Sequence, residues 1–211
     1  QLQQTGSKQN LTAHFSAHGG SVQPAKLVRG LKRVAQQLGV TIIEQCEYMQ
    51  HFGDQQITVH TSQGNLLSNT VIFAVNAWLP SLHKVFSRSV VLVSSDMVIT
   101  KPIPEVLEQL NLNHGSAIID SRLFVNYYRT TSDGRLMLGK GGNFFSYCNK
   151  VHPKFDLPSS YDDILKSSLN YFFERHHLPI ERTWTGASDR SVSGFPFFGQ
   201  LNNQKNVFYA G

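Results

Sequence analysis

The sequence predicts an α/β protein in the broad, α+β sense, with a large mixed β-sheet and helices joined to a smaller α/β part. Three observations predict it. Apolar residues at helical spacing follow Pro24, and an uninterrupted apolar run spans residues 71–75. Residues 90–138 are rich in β-forming runs and contain the turn signal Asp133-Gly134.

The smaller part begins with a predicted helix over residues 24–39, which starts at a proline and ends at Gly39. Strands are predicted at 40–44 and 57–61 and at the apolar run 71–75. Because that last run is apolar on both faces, we expect it in the middle of a sheet covered on two sides.

The larger part contains longer β segments, predicted at residues 90–100, 116–120, 123–131 and 135–138. The Asp-Gly pair predicts a hairpin between the last two. A second helix is expected to begin near Ser160, with Asp163 completing a capping box, and to stop before Pro179. A final strand is predicted at 207–211.

Composition excludes several classes of protein. With 40% hydrophobic and 16% charged residues, the chain is too apolar to be disordered, and no apolar run is long enough for a membrane span. Neither end of the sequence shows a basic segment followed by an apolar stretch and a small-residue cleavage site, so secretion is not indicated. Cys46 and Cys148 form no CxxC pair, which favours reduced thiols and a cytoplasmic location.

The formal charge of +5 does not indicate a nucleic-acid binder, because the lysines and arginines are scattered along the chain. His14 and His18 share helical spacing, but no third ligand stands near them, so no metal site is predicted. The sequence indicates no particular oligomeric state.

Four separated segments carry a resemblance to a known family. They are Gly19-Gly20-Ser21-Val22-Gln23-Pro24 with its helix, Val71 to Trp78, Tyr127-Tyr128-Arg129-Thr130 with Asp133-Gly134-Arg135 and Gly139, and Trp184-x-Gly186 with Gly194-x-Pro196-x-x-Gly199 and residues 207–211. In this order they resemble the D-amino-acid oxidase and glycine oxidase family of flavoenzymes, closest to its γ-glutamylputrescine oxidase branch.

The resemblance implies FAD as the cofactor and a chain that crosses between two domains. It divides the sequence into part of an FAD-binding α/β domain at 1–79, a substrate-binding domain at 80–183, and a return to the FAD-binding domain at 184–211. The residues that it implies for cofactor binding are Tyr48, Ala74, Asn76, Ala77, Trp78, Gly194, Pro196 and Gly211.

Two hallmarks of the family are missing from the sequence. No GxGxxG turn, which would hold the pyrophosphate of the cofactor, follows a strand near residue 1. The family also continues beyond the equivalent of Tyr209-Ala210-Gly211 into a last helix that contacts the flavin. We therefore expect an internal fragment that by itself holds FAD weakly or not at all and is inactive.

The activity implied by the resemblance is oxidation of the C–N bond of an amine or amino acid by hydride transfer to the flavin. No catalytic residue of the protein is required, because the flavin carries the chemistry. The candidate substrate-binding residues are Tyr127, Tyr128, Arg129, Asp189 and Arg190. Since a strand sends alternate residues to opposite faces, Tyr128 faces away from Tyr127 and Arg129, and only one face can line the cavity.

One position departs from the family pattern. Glycine oxidases have a carboxylate-binding arginine where this sequence has Ser188. Either Arg190 or Arg129 replaces it, or the substrate lacks an α-carboxylate. We favour an amine or polyamine-like substrate, whose ammonium group Asp189 could face. The alternative function is a non-catalytic module for ligand binding or assembly.

Overall fold

The computed structural model describes residues 2–201 and 204–211, which form two compact units. The larger unit comprises residues 2–21 and 80–192, and the smaller unit comprises residues 22–79, 193–201 and 204–211. The helices are α1 (Leu2–Thr5), α2 (Pro24–Gln37), α3 (Leu79–Leu82), α4 (Pro104–Gln109) and α5 (Asp162–Phe173).

The strands are β1 (Tyr48–Phe52), β2 (Ile57–Thr61), β3 (Gly64–Ser68), β4 (Val71–Phe73), β5 (Val90–Thr100), β6 (Ile118–Ile119), β7 (Asn126–Thr130), β8 (Leu136–Phe145), β9 (Ile180–Ser191), β10 (Phe198–Gln200) and β11 (Val207–Ala210). No helix in the described ranges combines the length and the apolar character that crossing a bilayer requires.

The larger unit is built on a five-stranded sheet with the order β6-β7-β8-β5-β9. Every pairing in it is antiparallel, and β5 pairs along most of its length with β8 on one side and β9 on the other. The predicted hairpin joins β7 to β8, where Gly134 adopts the positive φ of +76° that a tight turn requires. The segment predicted at 90–100 coincides with β5.

One face of this sheet packs against α5 and forms the hydrophobic core. The core contains Val98, Leu138, Leu165 and Leu169, all at most 2% exposed. Tyr128 joins them, its ring lying 5.2 and 5.1 Å from the rings of the two phenylalanines at the end of α5. The helix is amphipathic, so its apolar side covers the sheet and its polar side faces solvent.

On the same face of the sheet as the hydrophobic core, a buried carboxylate links several segments by hydrogen bonds. Asp96 on β5 is 1% exposed, and its oxygens accept hydrogen bonds from the hydroxyls of Ser94 and Ser159, both at 2.7 Å, and from the amide of Asn143 at 2.9 Å. These three donors come from β5, β8 and the segment before α5. Their bonds compensate the desolvation of the charge and fix the long connection after β8 to the sheet.

The predicted capping box does not form, because Tyr161 rather than Ser160 occupies the N-cap position of α5. The Ser159 hydroxyl accepts a hydrogen bond from the Tyr161 amide while donating to Asp96, and α5 begins at Asp162 without a side-chain cap. Asp162 and Asp163 lie in the first turn, where the helix dipole favours negative charge.

The smaller unit contains α2 and two three-stranded sheets, with the orders β1-β2-β3 and β10-β11-β4. Gln23 caps α2 by accepting a hydrogen bond from the Lys26 amide at 2.7 Å, and Gly39 ends the helix turn with φ of +88°. The predicted helix is thus confirmed.

One strand predicted in this unit does not form, and another forms but not in the middle of a sheet. Residues 40–44 form no strand, because no described segment pairs with them. The run 71–75 forms the short strand β4, which lies at the edge of its described sheet, and Ile72 is 65% exposed. An apolar run indicates that a strand can be buried on both faces. The position of that strand in a sheet depends on which distant segments pair with it.

The unit boundaries also differ from the division made on the sequence at 79/80 and 183/184. Residues 184–191 belong to β9, which pairs with β5 throughout, and so they lie in the larger unit. Residues 2–21 join the same unit, where the Ser7 hydroxyl donates to the Phe172 carbonyl at 2.8 Å. The function of each unit remains a prediction.

Replacing Leu169 by alanine should destabilise the protein by about 2–5 kcal/mol, because the side chain is buried and its removal leaves a cavity. Ile164→Ala on the same helix is the matched control, since Ile164 is 40% exposed and should lose less than half as much. Urea unfolding followed by circular dichroism measures both losses; equal losses would contradict the assignment of the core.

Burial raises the pKa of Tyr128 from 10.0 to about 12. Below pH 10 the phenol is neutral in both states, whereas between pH 10 and about 12 only the unfolded chain ionises. The stability that Tyr128 contributes should therefore fall by roughly 2–3 kcal/mol over that window. Comparing alkaline unfolding of the protein with that of Tyr128→Phe isolates the effect, and an equally steep loss in the variant would disprove it.

Candidate functional site

The first candidate feature is the edge of the smaller unit where β4 and β11 end, which we call the β4–β11 edge (residues 74–78, 194–197 and 210–211). The two strands run parallel, with Phe73 opposite Tyr209. Their carboxyl ends therefore leave the sheet side by side, which is where open α/β sheets bind ligands. Phe197 exchanges two backbone hydrogen bonds with Gly211, at 2.8 and 3.0 Å, and so fixes the segment 194–197 at this edge.

The chain turns sharply after β4. Asn76 adopts a left-handed conformation with φ of +48°, and its side-chain oxygen accepts a hydrogen bond from the Ala77 amide. Ala77 is fully buried, whereas Ala74, Asn76 and Trp78 are exposed. The turn thus buries one small residue and leaves an amide and an indole at the surface.

Gly194 and Pro196 are also exposed at the β4–β11 edge. Gly194 has φ of +75°, and no atom lies within 4 Å of the position that a Cβ would occupy. The eleven residues of the edge include no charged side chain. Seven of the eight residues predicted to bind the cofactor are therefore brought together at a neutral, partly open edge.

The eighth residue, Tyr48, lies beside this edge on β1. Its ring packs edge-on against Phe73, with 5.1 Å between the ring centroids, and partial burial raises the pKa of its hydroxyl. The hydroxyl oxygen is 2.6 Å from Nδ1 of His51, whose Nε2 is 3.0 Å from Oε1 of Gln204. With a proton on Nε2, His51 would donate to Oε1 of Gln204 and accept from the Tyr48 hydroxyl at Nδ1.

Sequence reasoning missed the contribution of His51 and Gln204. They are 153 positions apart, and neither belongs to a motif with characteristic spacing. No pattern in the sequence could have identified the hydrogen-bonded chain.

The second candidate feature is the face of the five-stranded sheet opposite the core, which we call the open face. Strand alternation and register place these side chains on it: Val91, Val93, Ser95, Met97 and Ile99 of β5, Met137, Gly139 and Gly141 of β8, Tyr127 and Arg129 of β7, and Arg182, Trp184, Gly186, Ser188 and Arg190 of β9.

A row without large side chains crosses three strands of the open face. Gly141 and Gly186 are the cross-strand partners of Ser95, and we call these three residues the glycine row. Ser95 is the one residue of the row that has a side chain. Nothing lies within 4 Å of a Cβ position at Gly186. The glycine row thus leaves space for a small molecule to approach the backbone.

Tyr127 and Met97 stand beside the glycine row. The Tyr127 hydroxyl lies 2.9 Å from the Ser95 hydroxyl, and its oxygen lies 3.2 Å from the Met97 sulfur. Gly139 accommodates both side chains, because a Cβ there would lie 2.3 Å from the tyrosine ring. This side of the row combines an apolar wall with two hydroxyls that can donate or accept hydrogen bonds.

The predicted substrate-binding residues divide between the two faces. Tyr127, Arg129 and Arg190 lie on the open face. Tyr128 lies in the core, where its hydroxyl donates to the Thr5 carbonyl at 2.7 Å and accepts from the Asn10 amide at 2.8 Å. Asp189 is opposite the fully buried Leu92 and therefore also points to the core side.

A cavity of about 350 Å³ lies elsewhere in the larger unit, between the segment 3–9 and the ends of α4 and α5. Its floor includes Phe172 and Phe173, which pack on the core side of the sheet. None of the predicted site residues lines it.

Two glycine substitutions test the geometry of the open face. Gly139→Ala should destabilise the protein by about 1–3 kcal/mol, because its methyl group overlaps Tyr127 and Met97. Gly186→Ala should change stability by less than about 1 kcal/mol, since the space above it is open. Urea unfolding of the two variants compares them, and similar losses would contradict the described packing.

Comparisons with known proteins agree with this architecture. The probable oxidoreductase OrdL of Haemophilus influenzae is 26% identical over 99% of this chain, which covers 46% of that protein. The gamma-glutamylputrescine oxidoreductase of Escherichia coli is 23% identical over 90% of the chain and 43% of its own length. The chain thus spans less than half of the length of these relatives.

Among solved structures, glycine oxidase from Bacillus cereus superposes with a TM-score of 0.64 and 20% identity, over 88% of this chain and 48% of that one. The likeness supports the predicted mixed α/β fold. The family model described as FAD dependent oxidoreductase, DAO, matches residues 2–211. The resemblance found in the sequence is confirmed, and the chain belongs to the DAO family of FAD-dependent oxidoreductases.

Proposed function

We propose that this chain is part of an enzyme that oxidises the C–N bond of an amine or amino acid with FAD. The observation that carries the proposal is the glycine row on the open face, flanked by Tyr127 and Met97, in a chain of the DAO family. Proteins similar to this chain include a gamma-glutamylputrescine oxidoreductase and a glycine oxidase, whose names specify an amine and an amino acid.

The larger unit would bind the substrate. Gly141, Ser95 and Gly186 would form the floor of its site, and Met97 and Trp184 would exclude water from the reacting carbon. The Tyr127 and Ser95 hydroxyls, which already bond to each other, would orient a polar group of the substrate. These roles are binding and orientation, because the cofactor supplies the two-electron chemistry when it is bound.

The smaller unit would contact the cofactor at the β4–β11 edge, through the exposed residues Ala74, Asn76, Trp78, Gly194 and Pro196, and with Ala77, Gly211 and Tyr48 supporting them. The edge fits the neutral, planar end of a flavin, since it offers backbone groups, an indole and a glycine with open space above it. It offers no cation for a phosphate, so we propose that this chain alone binds FAD weakly and is inactive.

Spectroscopy of the complete gene product tests the function. We expect bound flavin that is bleached without oxygen when an amine or amino-acid substrate is added, because the substrate reduces it. The 211-residue chain, treated identically with FAD and then dialysed, should retain about 10-fold less flavin.

Trp78→Ala in the complete product should lower flavin affinity about 10-fold, whereas the control Tyr147→Ala, at a residue 89% exposed in the larger unit, should not.

A complete gene product that stays colourless after reconstitution with FAD would contradict the proposal. Binding of amines without any flavin reduction would instead favour the alternative, a ligand-binding module.

A further inference from the structure

The cavity of about 350 Å³ in the larger unit is enclosed by chain segments that are fixed to one another. The Ser7 hydroxyl donates to the Phe172 carbonyl at 2.8 Å, which ties the segment 3–9 to the end of α5. The side-chain amide of Asn111 donates to the Gln3 carbonyl, which ties the same segment to the end of α4. The walls are thus preformed, and the volume lies within the range of about 300–1,000 Å³ that is typical of ligand sites.

The floor of the cavity is aromatic. Phe172 and Phe173 both line it, and their contacts with the ring of Tyr128 hold them in place. Tyr171 lines it as well and is 43% exposed, with the guanidinium group of Arg122 lying 4.8 Å from the centre of its ring. A flat apolar group that enters the cavity can therefore pack against aromatic side chains.

The charged residues around the cavity favour an anion. Lys8 and Arg175 line it, both are exposed, and their side chains make no hydrogen bond or ion pair within the described residues. Glu174 is the one carboxylate among the thirteen residues that line the cavity. Two cations thus face one anion, and the N–H donors of both cations are available to a ligand.

The two helix ends at the cavity compete only weakly for these cations. A helix C-terminus attracts positive charge through carbonyl groups that lack a partner. At the end of α5 the Phe172 carbonyl accepts from Ser7, and the Phe173 carbonyl accepts from the His176 amide at 3.0 Å. At the end of α4 the carbonyls of residues 106–108 likewise accept hydrogen bonds from backbone amides.

We propose that this cavity is an accessory binding site for a small aromatic anion. The rings of Tyr171 and Phe172 contact the flat apolar body, and Lys8 and Arg175 bind the anionic group. The site goes beyond the proposed function, because none of the open-face side chains lines it and binding requires neither the cofactor nor the amine substrate. The affinity comes from apolar contact and charge complementarity, and no covalent step is involved.

Isothermal titration with naphthalene-2-sulfonate tests the proposal, on both the complete gene product and the 211-residue chain. Two comparison compounds separate the contributions: naphthalene-2-sulfonamide keeps the rings without the charge, and cyclohexanesulfonate keeps the charge without aromatic rings. At neutral pH and constant ionic strength, we expect the aromatic sulfonate to bind at one site about 10-fold more tightly than either comparison compound.

Four variants assign the binding to the cavity. Lys8→Gln and Arg175→Gln should each weaken binding of the aromatic sulfonate about 5-fold, because each removes one attracting charge, and should leave the sulfonamide unaffected. Glu174→Gln should tighten binding of the sulfonate about 3-fold, since it removes the opposing charge. Arg88→Gln, at an exposed arginine of the same unit outside the cavity, is the matched control and should change nothing.

Unchanged far-UV circular dichroism and thermal midpoints establish that the variants fold. Equal affinity for the three compounds, or the same loss in Arg88→Gln as in Arg175→Gln, would overturn the inference. Binding to the 211-residue chain but not to the complete gene product would overturn it too, because another part of the product would then cover the cavity. Reduction of the flavin by amines is measured separately and should be the same in all four variants, so failure of the proposed function is distinguishable from failure of this inference.

Discussion

The register of β5 between β8 and β9 is the constraint on which the larger unit depends. All eleven residues of this strand pair with β9 and six of them also pair with β8, so each of its side chains is committed to one face. Even positions from 90 to 100 are buried, with Asp96 satisfied by three side-chain donors. A slip of one residue would move that carboxylate away from Ser159 and Asn143 and would move Val98 out of the core, and both changes are costly.

The same constraint decides the chemistry of the open face. Neighbours in the sequence with opposite properties are separated to opposite sides of the sheet: Tyr127 from Tyr128, and Arg190 from Asp189. What remains on the open face is a row of glycines, a pair of hydroxyls and an excess of arginine. Asp96 and Asp189 lie on the core side, where hydroxyl and amide donors bond to Asp96. Charge segregation is thus a consequence of pairing.

In the smaller unit, the candidate site depends on a different interaction, the parallel pairing of β4 with β11. These strands are 136 positions apart, counting from Val71 to Val207. Because they pair in parallel, their carboxyl ends lie side by side at one edge of the sheet. The hydrogen bonds between Phe197 and Gly211 then add a third segment. A neutral surface of backbone, amide and indole results, and the Tyr48, His51 and Gln204 side chains lie linked beside it.

The sequence by itself determined what local interactions control. It predicted α2 from its proline, its apolar period and Gly39, the β7–β8 hairpin from Asp133-Gly134, β5 from its composition, and the family from four ordered segments. Only the tertiary structure decided that residues 40–44 lack a strand partner, that Trp184 to Arg190 continue a long strand, and that Arg190 rather than Asp189 faces the glycine row. Helix caps and tight turns are encoded within a few residues, whereas strand partners and faces depend on hydrogen bonds between distant segments.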